Sequence, residues 1–260
     1  MPVFSIVVIC KNEEHVIEML LKSVSALSDD LVVYDTGSTD NTPQLALKYN
    51  ANLYSGPWEG YGKTRVTAAL KAKHDWILIL DADEALDSEA RFALNNLDLT
   101  DNSKVYQFRF RSFLGDRPIH YGEWGNEKHI KLFNRTMINC DMAVVHERLI
   151  LSSRMKVHTV PGHVLHYSIH DIQDYCDKMQ RYAWLWAEKN AFNKSRYPAF
   201  KMFFSPTYTF LYNYILRLGI IDGREGFICA SMTAYYTFLK YTRLMEIQRT
   251  LAALPHPSLG

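Results

Sequence analysis

Three acidic residues within four positions, Asp81-Ala82-Asp83-Glu84, follow directly on the apolar run Trp76–Leu80. An Asp-x-Asp at the end of a buried strand places two carboxylates at a sheet edge. One can reach a divalent cation, and the other a ribose or a water on that cation. Hard oxygen donors of this kind suit Mg2+ or Mn2+, which favour carboxylate plus phosphate oxygens. The plainer reading is a solvated acidic turn that caps the next helix. A second cluster is Tyr34-Asp35-Thr36-Gly37-Ser38-Thr39-Asp40. Asp35 ends another apolar run, where its carboxylate can accept from a base N–H. Gly37 permits a tight turn, and Ser38, Thr39 or Asp40 can cap a helix. Turn chemistry alone would also explain that stretch. Lys63-Thr64-Arg65 stands 16 residues before Asp81, counted from Arg65. The planar, multi-donor guanidinium of Arg65 suits a diphosphate or a base, and a surface arginine is the alternative.

These residues need a scaffold, and the first hundred positions supply an alternation of strand and helix. Phe4–Cys10 is a continuous β-rich run, as expected of a strand covered on both faces. A helix over Glu14–Ser25 follows, with Ile17, Leu20, Leu21 and Val24 at helical spacing. Leu31–Tyr34 is the second strand. Thr42 and Pro43 read as an N-cap and first-turn proline of a helix to about Tyr49. Asn52–Ser55, a helix over Lys63–Ala72, and the strand Trp76–Leu80 complete the series. Four strands with helices between them imply a parallel sheet with right-handed crossovers. Ligands bind such sheets at the carboxyl ends of strands, where Lys11-Asn12-Glu13, Asp35–Ser38 and Asp81–Asp83 stand. Beyond about residue 100 the pattern changes. Tyr106, Phe108 and Phe110 alternate with Gln107, Arg109 and Arg111, a half-exposed strand. Short strands are expected at Ile130–Phe133, Ala143–Val145 and Val157–Val160. From about Ile172 the chain turns helical and aromatic.

The chain has 260 residues, enough for one sizeable domain with an extension. Hydrophobic residues make up 48% and charged residues 22%, which argues against disorder, collagen and coiled coil. Net charge is +1, without the basic excess of a dedicated nucleic-acid binder, so no nucleic acid is expected as partner. Charge is unevenly spread: residues 1–150 carry 16 Lys/Arg and 21 Asp/Glu, and residues 151–260 carry 13 and 7. The acidic part could hold a cation, and the basic part could face an anionic surface. Cys10, Cys140, Cys176 and Cys229 form no CxxC pair, so neither a disulfide framework nor structural zinc is indicated. Phe4–Cys10 has no basic n-region before it, so no secretory leader is expected. Met202–Ile221 is long and aromatic, but Pro206, Asn213 and Arg217 interrupt it. It reads as a buried or interfacial helical segment rather than a membrane span.

SIVVICKNEE, VYDTGSTD, GYGKTR and LILDADE, in this order over about residues 3–85, resemble family 2 glycosyltransferases of the GT-A fold. The resemblance implies an α/β fold, a nucleotide-binding and mostly parallel sheet flanked by helices, spanning residues 1–170. A helical, aromatic-rich region over residues 171–260 would follow, facing acceptor or membrane. It implies that Asn12, Glu13 and the end of strand one line a nucleoside pocket. Asp35 would meet the base, Arg65 the base or diphosphate, with Lys63 beside it. Asp81 would meet the ribose, Asp83 the metal, and Ala82 would lie between them in the donor site. Later segments, Asn126–Arg135, Val145-His146-Glu147, His166-Tyr167-Ser168 and Leu218–Gly223, are similar to lipopolysaccharide inner-core β-1,4-glucosyltransferases of Gram-negative bacteria. That subgroup often has Asp at position 127 and Arg at position 131, where this chain has Glu127 and Lys131.

Family 2 enzymes invert the anomeric centre, so a carboxylate must take the acceptor hydroxyl's proton. Glu127 is the candidate base, with Glu147 and then Glu123 as rivals, and pairing of Glu127 with Lys128 or Lys131 is the alternative. Trp124 could stack on an acceptor sugar beside Glu147, or pack in a core. His166, with His146 as rival, could complete the metal site with Asp83, or serve as a hydrogen-bonded structural residue. The expected reaction moves glucose from UDP-glucose, with Mg2+ or Mn2+, to a lipid-linked core heptose on the cytoplasmic face. Trp184, Trp186, Tyr182 and Phe192 either pack helices or, with Lys189, Lys194, Arg196 and Lys201, form a peripheral foot on the anionic inner membrane. Other readings are a family 2 transferase with another donor or a polyprenyl-phosphate acceptor, and an inactive sugar-nucleotide binder.

Overall fold

The computed structural model describes residues 2–125, 127–137, 155–169, 172–192 and 198–253. The expected strand Ala143–Val145, and with it His146 and Glu147, lies outside the described residues, as do Cys140, Lys194 and Arg196. The chain forms two compact units, Met1–Arg111 with Glu127–Ser168, and Ser112–Asn126 with Ile169–Gly260.

The first unit is built on runs of apolar, β-branched residues. In β1 (Ser5–Cys10) every residue but Ile9 is buried, and β2 (Leu31–Asp35) is buried throughout. β4 (Trp76–Asp81) is buried up to its terminal aspartate. Strands covered on both faces belong at the centre of a parallel sheet. β1 pairs in parallel with β2 and β4, and β2 with β3 (Asn52–Ser55). The register sets Cys10 opposite Asp35 and Ile9 opposite Asp81, so the polar residues after β1, β2 and β4 emerge along one edge. Helices α1 (Ile17–Val24), α2 (Thr42–Lys48) and α3 (Tyr61–Ala69) make the crossovers. The full order is β3-β2-β1-β4-β8-β6-β9-β5, with β5 (Glu84–Leu86), β6 (Lys104–Leu114), β8 (Lys128–Asn134) and β9 (Lys156–Ile169). β4 pairs antiparallel with β8, and β8 with β6. Ile6, Val8, Leu20, Leu21, Leu78, Leu80, Phe108 and Leu132 belong to one apolar core, each burial contributing about 1.5–3 kcal/mol.

Several boundaries differ from the pattern-based expectation, each for a local reason. α1 begins at Ile17 rather than Glu14, because the Glu14 carboxylate accepts from the backbone and side chain of Asn41 at 3.0 and 2.9 Å. Thr42 is not the N-cap of α2 but its first residue, and its Oγ1 accepts from the Glu13 amide at 2.8 Å. α3 spans Tyr61–Ala69, two residues earlier at its start than expected. β9 runs for 14 residues where a strand was expected only at Val157–Val160. Pro161-Gly162 suggests a break, yet the strand continues because Gly162 adopts φ +83° against α4 (Ser88–Asn95). A Cβ at Gly162 would lie 2.2 Å from the Ala90 nitrogen, so only glycine lets this strand pass the helix. The Asp87 carboxylate locks the joint, accepting from the Ala90 amide at 2.8 Å and the His163 amide at 3.0 Å.

The second unit is mainly helical. The end of β6 pairs with β7 (Arg117–Pro118), and α5 (Ile172–Asn190), α6 (Pro198–Leu211) and α7 (Gly223–Ala253) follow. A π-helical turn at Tyr212–Leu216 and a 3-10 turn at Gly219–Asp222 join α6 to α7. Ala183 and Ala187, one turn apart on α5, are fully buried. Trp186 meets Tyr241 edge-on at 5.6 Å, and the Arg243 guanidinium lies 5.5 Å from the Trp184 ring. Those two tryptophans pack helices, whereas Phe192 is 83% exposed. The buried alternative for Met202–Ile221 is overturned: α6 buries no residue at all, and only Asn213 and Gly219 of that stretch are buried. Among the described residues no helix is long and apolar enough to cross a membrane.

Candidate active site

β4 delivers Asp81 to the sheet edge, and the turn after it returns as β5. β5 pairs antiparallel with β9, with Glu84 opposite His166. The Tyr167 amide donates to the Asp83 carbonyl at 2.9 Å, which fixes the turn to β9. As a result the His166 Nε2 stands 3.5 Å from an Asp83 carboxylate oxygen. The solvated-turn reading of Asp81–Glu84 therefore fails: Glu84 is 2% exposed, and the helix cap is Asp87 instead.

Asp81 lies between two cations. Arg65 of α3 donates to Oδ1 at 2.8 Å, and Lys131 of β8 to Oδ2 at 3.1 Å. Burial opposes ionisation of Asp81, but the charges of Lys131 and Arg65 outweigh it and hold the carboxyl far below the usual carboxylate range. Lys131 also binds both Glu84 oxygens at 2.7 Å, and Glu84 accepts the Asp81 amide at 3.0 Å. Burial pushes the Glu84 carboxyl upward, with Lys131 opposing and Asp81 adding to the rise. Burial disfavours the charge on Lys131, yet Asp81 and Glu84 raise its pKa above the usual lysine value. Burial likewise opposes protonation of His166, and its contact with Asp83 more than offsets this, raising the imidazole above its ordinary value.

On the other side of the edge, the loops after β1 and β2 are stitched together. Asn12, at φ +56°, donates its amide to Ser38 Oγ at 2.8 Å and accepts the Thr39 amide on Oδ1 at 2.7 Å. Asp35 is buried and accepts the Ser38 amide at 3.1 Å. Glu13 joins this seam by donating its backbone amide to the Thr42 hydroxyl. Arg65 lies 5.8 Å from the Tyr61 ring, which meets Trp58 edge-on at 4.7 Å. Lys63 is turned to Glu59, with which it forms an exposed ion pair. Ala82 is buried in the core beneath the turn.

Glu127 precedes β8 and is anchored by its carbonyl, which accepts the Phe110 amide at 2.9 Å. Its carboxylate meets neither Lys128 nor Lys131 but the His129 imidazole, at 3.3 Å. His129 packs edge-on against Phe110 at 4.7 Å, His166 packs on the same ring at 5.8 Å, and the Lys131 ammonium lies 5.3 Å from it. Phe110 is thus the apolar hub that brings Glu127 and His166 onto one wall. Sequence reasoning missed Phe110, Glu84 and Lys131 as parts of this site. The only signals were an acidic residue at the fourth position of the motif and a charged side chain amid an apolar strand.

Trp124 and Glu123 belong to the second unit. Trp124 meets Tyr175 edge-on at 5.2 Å. Their segment is clamped by Asp222, whose Oδ2 accepts the amides of His120 and Tyr121 at 3.0 and 2.8 Å. Gly226 closes the turn below, since a Cβ there would lie 1.8 Å from the Gly219 carbonyl oxygen.

Asp83 and His166 together offer one carboxylate and one imidazole at one point, and among the described residues no group of three or more such ligands occurs. Two protein donors fit a divalent ion that takes its other ligands from diphosphate and water, as Mg2+ commonly does.

The profile of glycosyl transferase family 2 matches residues 5–157. The chain belongs to that family. Its sheet with flanking helices is the GT-A fold, and the protein is a transferase of glycosyl groups. This family 2 transferase is 27% identical over 261 residues to the lipopolysaccharide core biosynthesis glycosyltransferase LpsC of Rhizobium meliloti, covering 96% of this chain and 94% of that one. It is 26% identical over 251 residues to an uncharacterized glycosyltransferase of Rickettsia typhi, covering 92% and 86%. Among solved structures, S. aureus TarS (residues 1–349) aligns with a TM-score of 0.47 at 18% identity, over 96% of this chain and 91% of that one.

Proposed function

We propose that this family 2 transferase moves glucose from UDP-glucose, with inversion, to a lipid-linked saccharide, the inner-core heptose of lipopolysaccharide. The observation that carries the reading is the tip of β4, where Asp81 is charge-locked and Asp83 faces His166. The similarity to LpsC supports the acceptor class.

Asn12, Glu13 and Asp35 line the nucleoside pocket, Asp35 meeting the base. Asp81 meets the ribose beside Ala82, and Arg65, with Lys63, serves the base or diphosphate. Asp83 and His166 hold a Mg2+ or Mn2+ ion. When bound, that ion supplies positive charge against the leaving diphosphate. The acceptor oxygen attacks the anomeric carbon from the face opposite the diphosphate. The carbon–oxygen bond to the diphosphate breaks and its electron pair leaves with UDP. Glu127 takes the acceptor's proton. Trp124 stacks on the acceptor sugar, Glu147 assists there, and the helical region over residues 171–260 serves the acceptor at the cytoplasmic face.

A thermal-shift panel of UDP-, GDP-, dTDP- and CMP-sugars with and without Mn2+ tests the donor. A ligand that binds only the native state must raise its melting temperature. UDP-glucose with Mn2+ is expected to give the largest rise, and a rise with a GDP-sugar in its place overturns the donor assignment.

A further inference from the structure

We propose that the solvent-facing side of α6, continued by the turns up to residue 221, is a docking surface for a bilayer rich in anionic headgroups. The inference rests on the second unit alone and goes beyond the donor chemistry assigned to the first.

Phe200, Phe203, Phe204, Tyr208 and Leu211 are 61, 69, 60, 64 and 45% exposed. Steps of three and four residues place them on one side of α6. Phe210, seven residues after Phe203 and so at the edge of this side, meets Phe227 of α7 at 5.5 Å. The chain then adds Leu216, Ile220 and Ile221, which are 69, 54 and 58% exposed. Eight large apolar side chains this exposed within one segment mark an interaction surface.

Charge identifies the occupant. Residues 198–221 contain Lys201 and Arg217 and no aspartate or glutamate. Both cations sit against aromatic rings, Lys201 5.8 Å from Tyr241 and Arg217 4.9 Å from Tyr212. Asp222, the next acid in the chain, is engaged by the amides of His120 and Tyr121. Aromatic and aliphatic side chains on a segment whose only charged residues are cations match the interfacial layer of an anionic membrane. A second copy of the chain would set the same cations against themselves. The 14 residues of α6 reach about 21 Å at 1.5 Å per residue, short of a hydrocarbon core of about 30 Å, so the helix lies in the interface plane.

Flotation of the full chain with vesicles tests this, using phosphatidylcholine alone and phosphatidylcholine mixed with phosphatidylglycerol. At low salt the wild type is expected to float with the mixed vesicles. Phe203→Ser combined with Phe204→Ser should abolish flotation while the melting temperature and its rise with UDP-glucose stay unchanged. Lys201→Gln and Arg217→Gln should each weaken binding to the mixed vesicles about fivefold, an effect that high salt reproduces in the wild type. The proposal is overturned if the wild type does not float at low salt, or if the phenylalanine variant floats equally well. It is also overturned if light scattering shows that this variant converts a non-floating dimer to a monomer, which would assign the face to a second copy. The donor titration reads the first unit separately, so failure of either assignment shows by itself.

Discussion

A carboxylate wedged between a guanidinium and an ammonium has its charge fixed, and that is the state of Asp81. Its neighbour two positions on faces an imidazole across 3.5 Å instead, so the two carboxylates stand in different surroundings. Glu127, held to His129 on the Phe110 wall, is the proposed base. Glu127→Gln is expected to lower kcat about 10²–10⁴-fold while donor affinity in a thermal-shift titration stays at the wild-type value. Comparable loss of donor affinity would place Glu127 in the donor pocket instead. Lys131 carries a different role, since it is the cation shared by buried Glu84 and by Asp81. Removing one partner of a buried pair costs about 3–5 kcal/mol, so Lys131→Met should be strongly destabilising in urea titration. Adding Glu84→Gln should recover part of the loss, because the second substitution removes the stranded charge. A double variant no more stable than the single one would contradict the pairing. From the sequence Lys131 was a possible partner of Glu127 and a replacement for the subgroup's Arg, and its pairing with Asp81 and Glu84 was not readable because those partners come from β4 and β5.

The central strands were readable from the sequence because burial on both faces leaves an uninterrupted apolar run, as in β1, β2 and β4. The polar ends of these strands, and hence Asp35, Asp81 and Asp83, followed from the same pattern. β5 was not readable, since three residues carry no periodicity. Nor was the second half of β9, where Pro161-Gly162 imitates a turn. The approach of His166 to Asp83 depends on both, so a candidate ligand could be named but its partner strand could not. Gly162→Ala tests this joint. A positive φ and the approach to Ala90 should cost about 1–3 kcal/mol in stability, and Mn2+ affinity should fall with it, because β9 places His166. In the second unit the Leu218–Gly223 stretch was visible as a motif without a purpose. The structure gives Asp222 one, as acceptor of two backbone amides. Asp222→Ala should speed hydrogen exchange at the Tyr121 amide, and unchanged protection there would remove the clamp.

At the scale of the molecule, the uneven charge has a structural counterpart. The acidic first part carries the β4 tip and its neighbours, and the basic later part carries a helical unit with an exposed aromatic face. Family membership and the GT-A sheet make the protein a glycosyltransferase, and the proposed donor chemistry sits at the tip of β4. Isothermal titration of UDP-glucose into the full chain, with Mn2+ or with EDTA, and into Asp83→Asn with Mn2+, tests that placement most directly. The wild type is expected to bind with Mn2+, and binding at least tenfold weaker, about 1.4 kcal/mol, is expected with EDTA or in the variant. Equal affinity in all three titrations would contradict it.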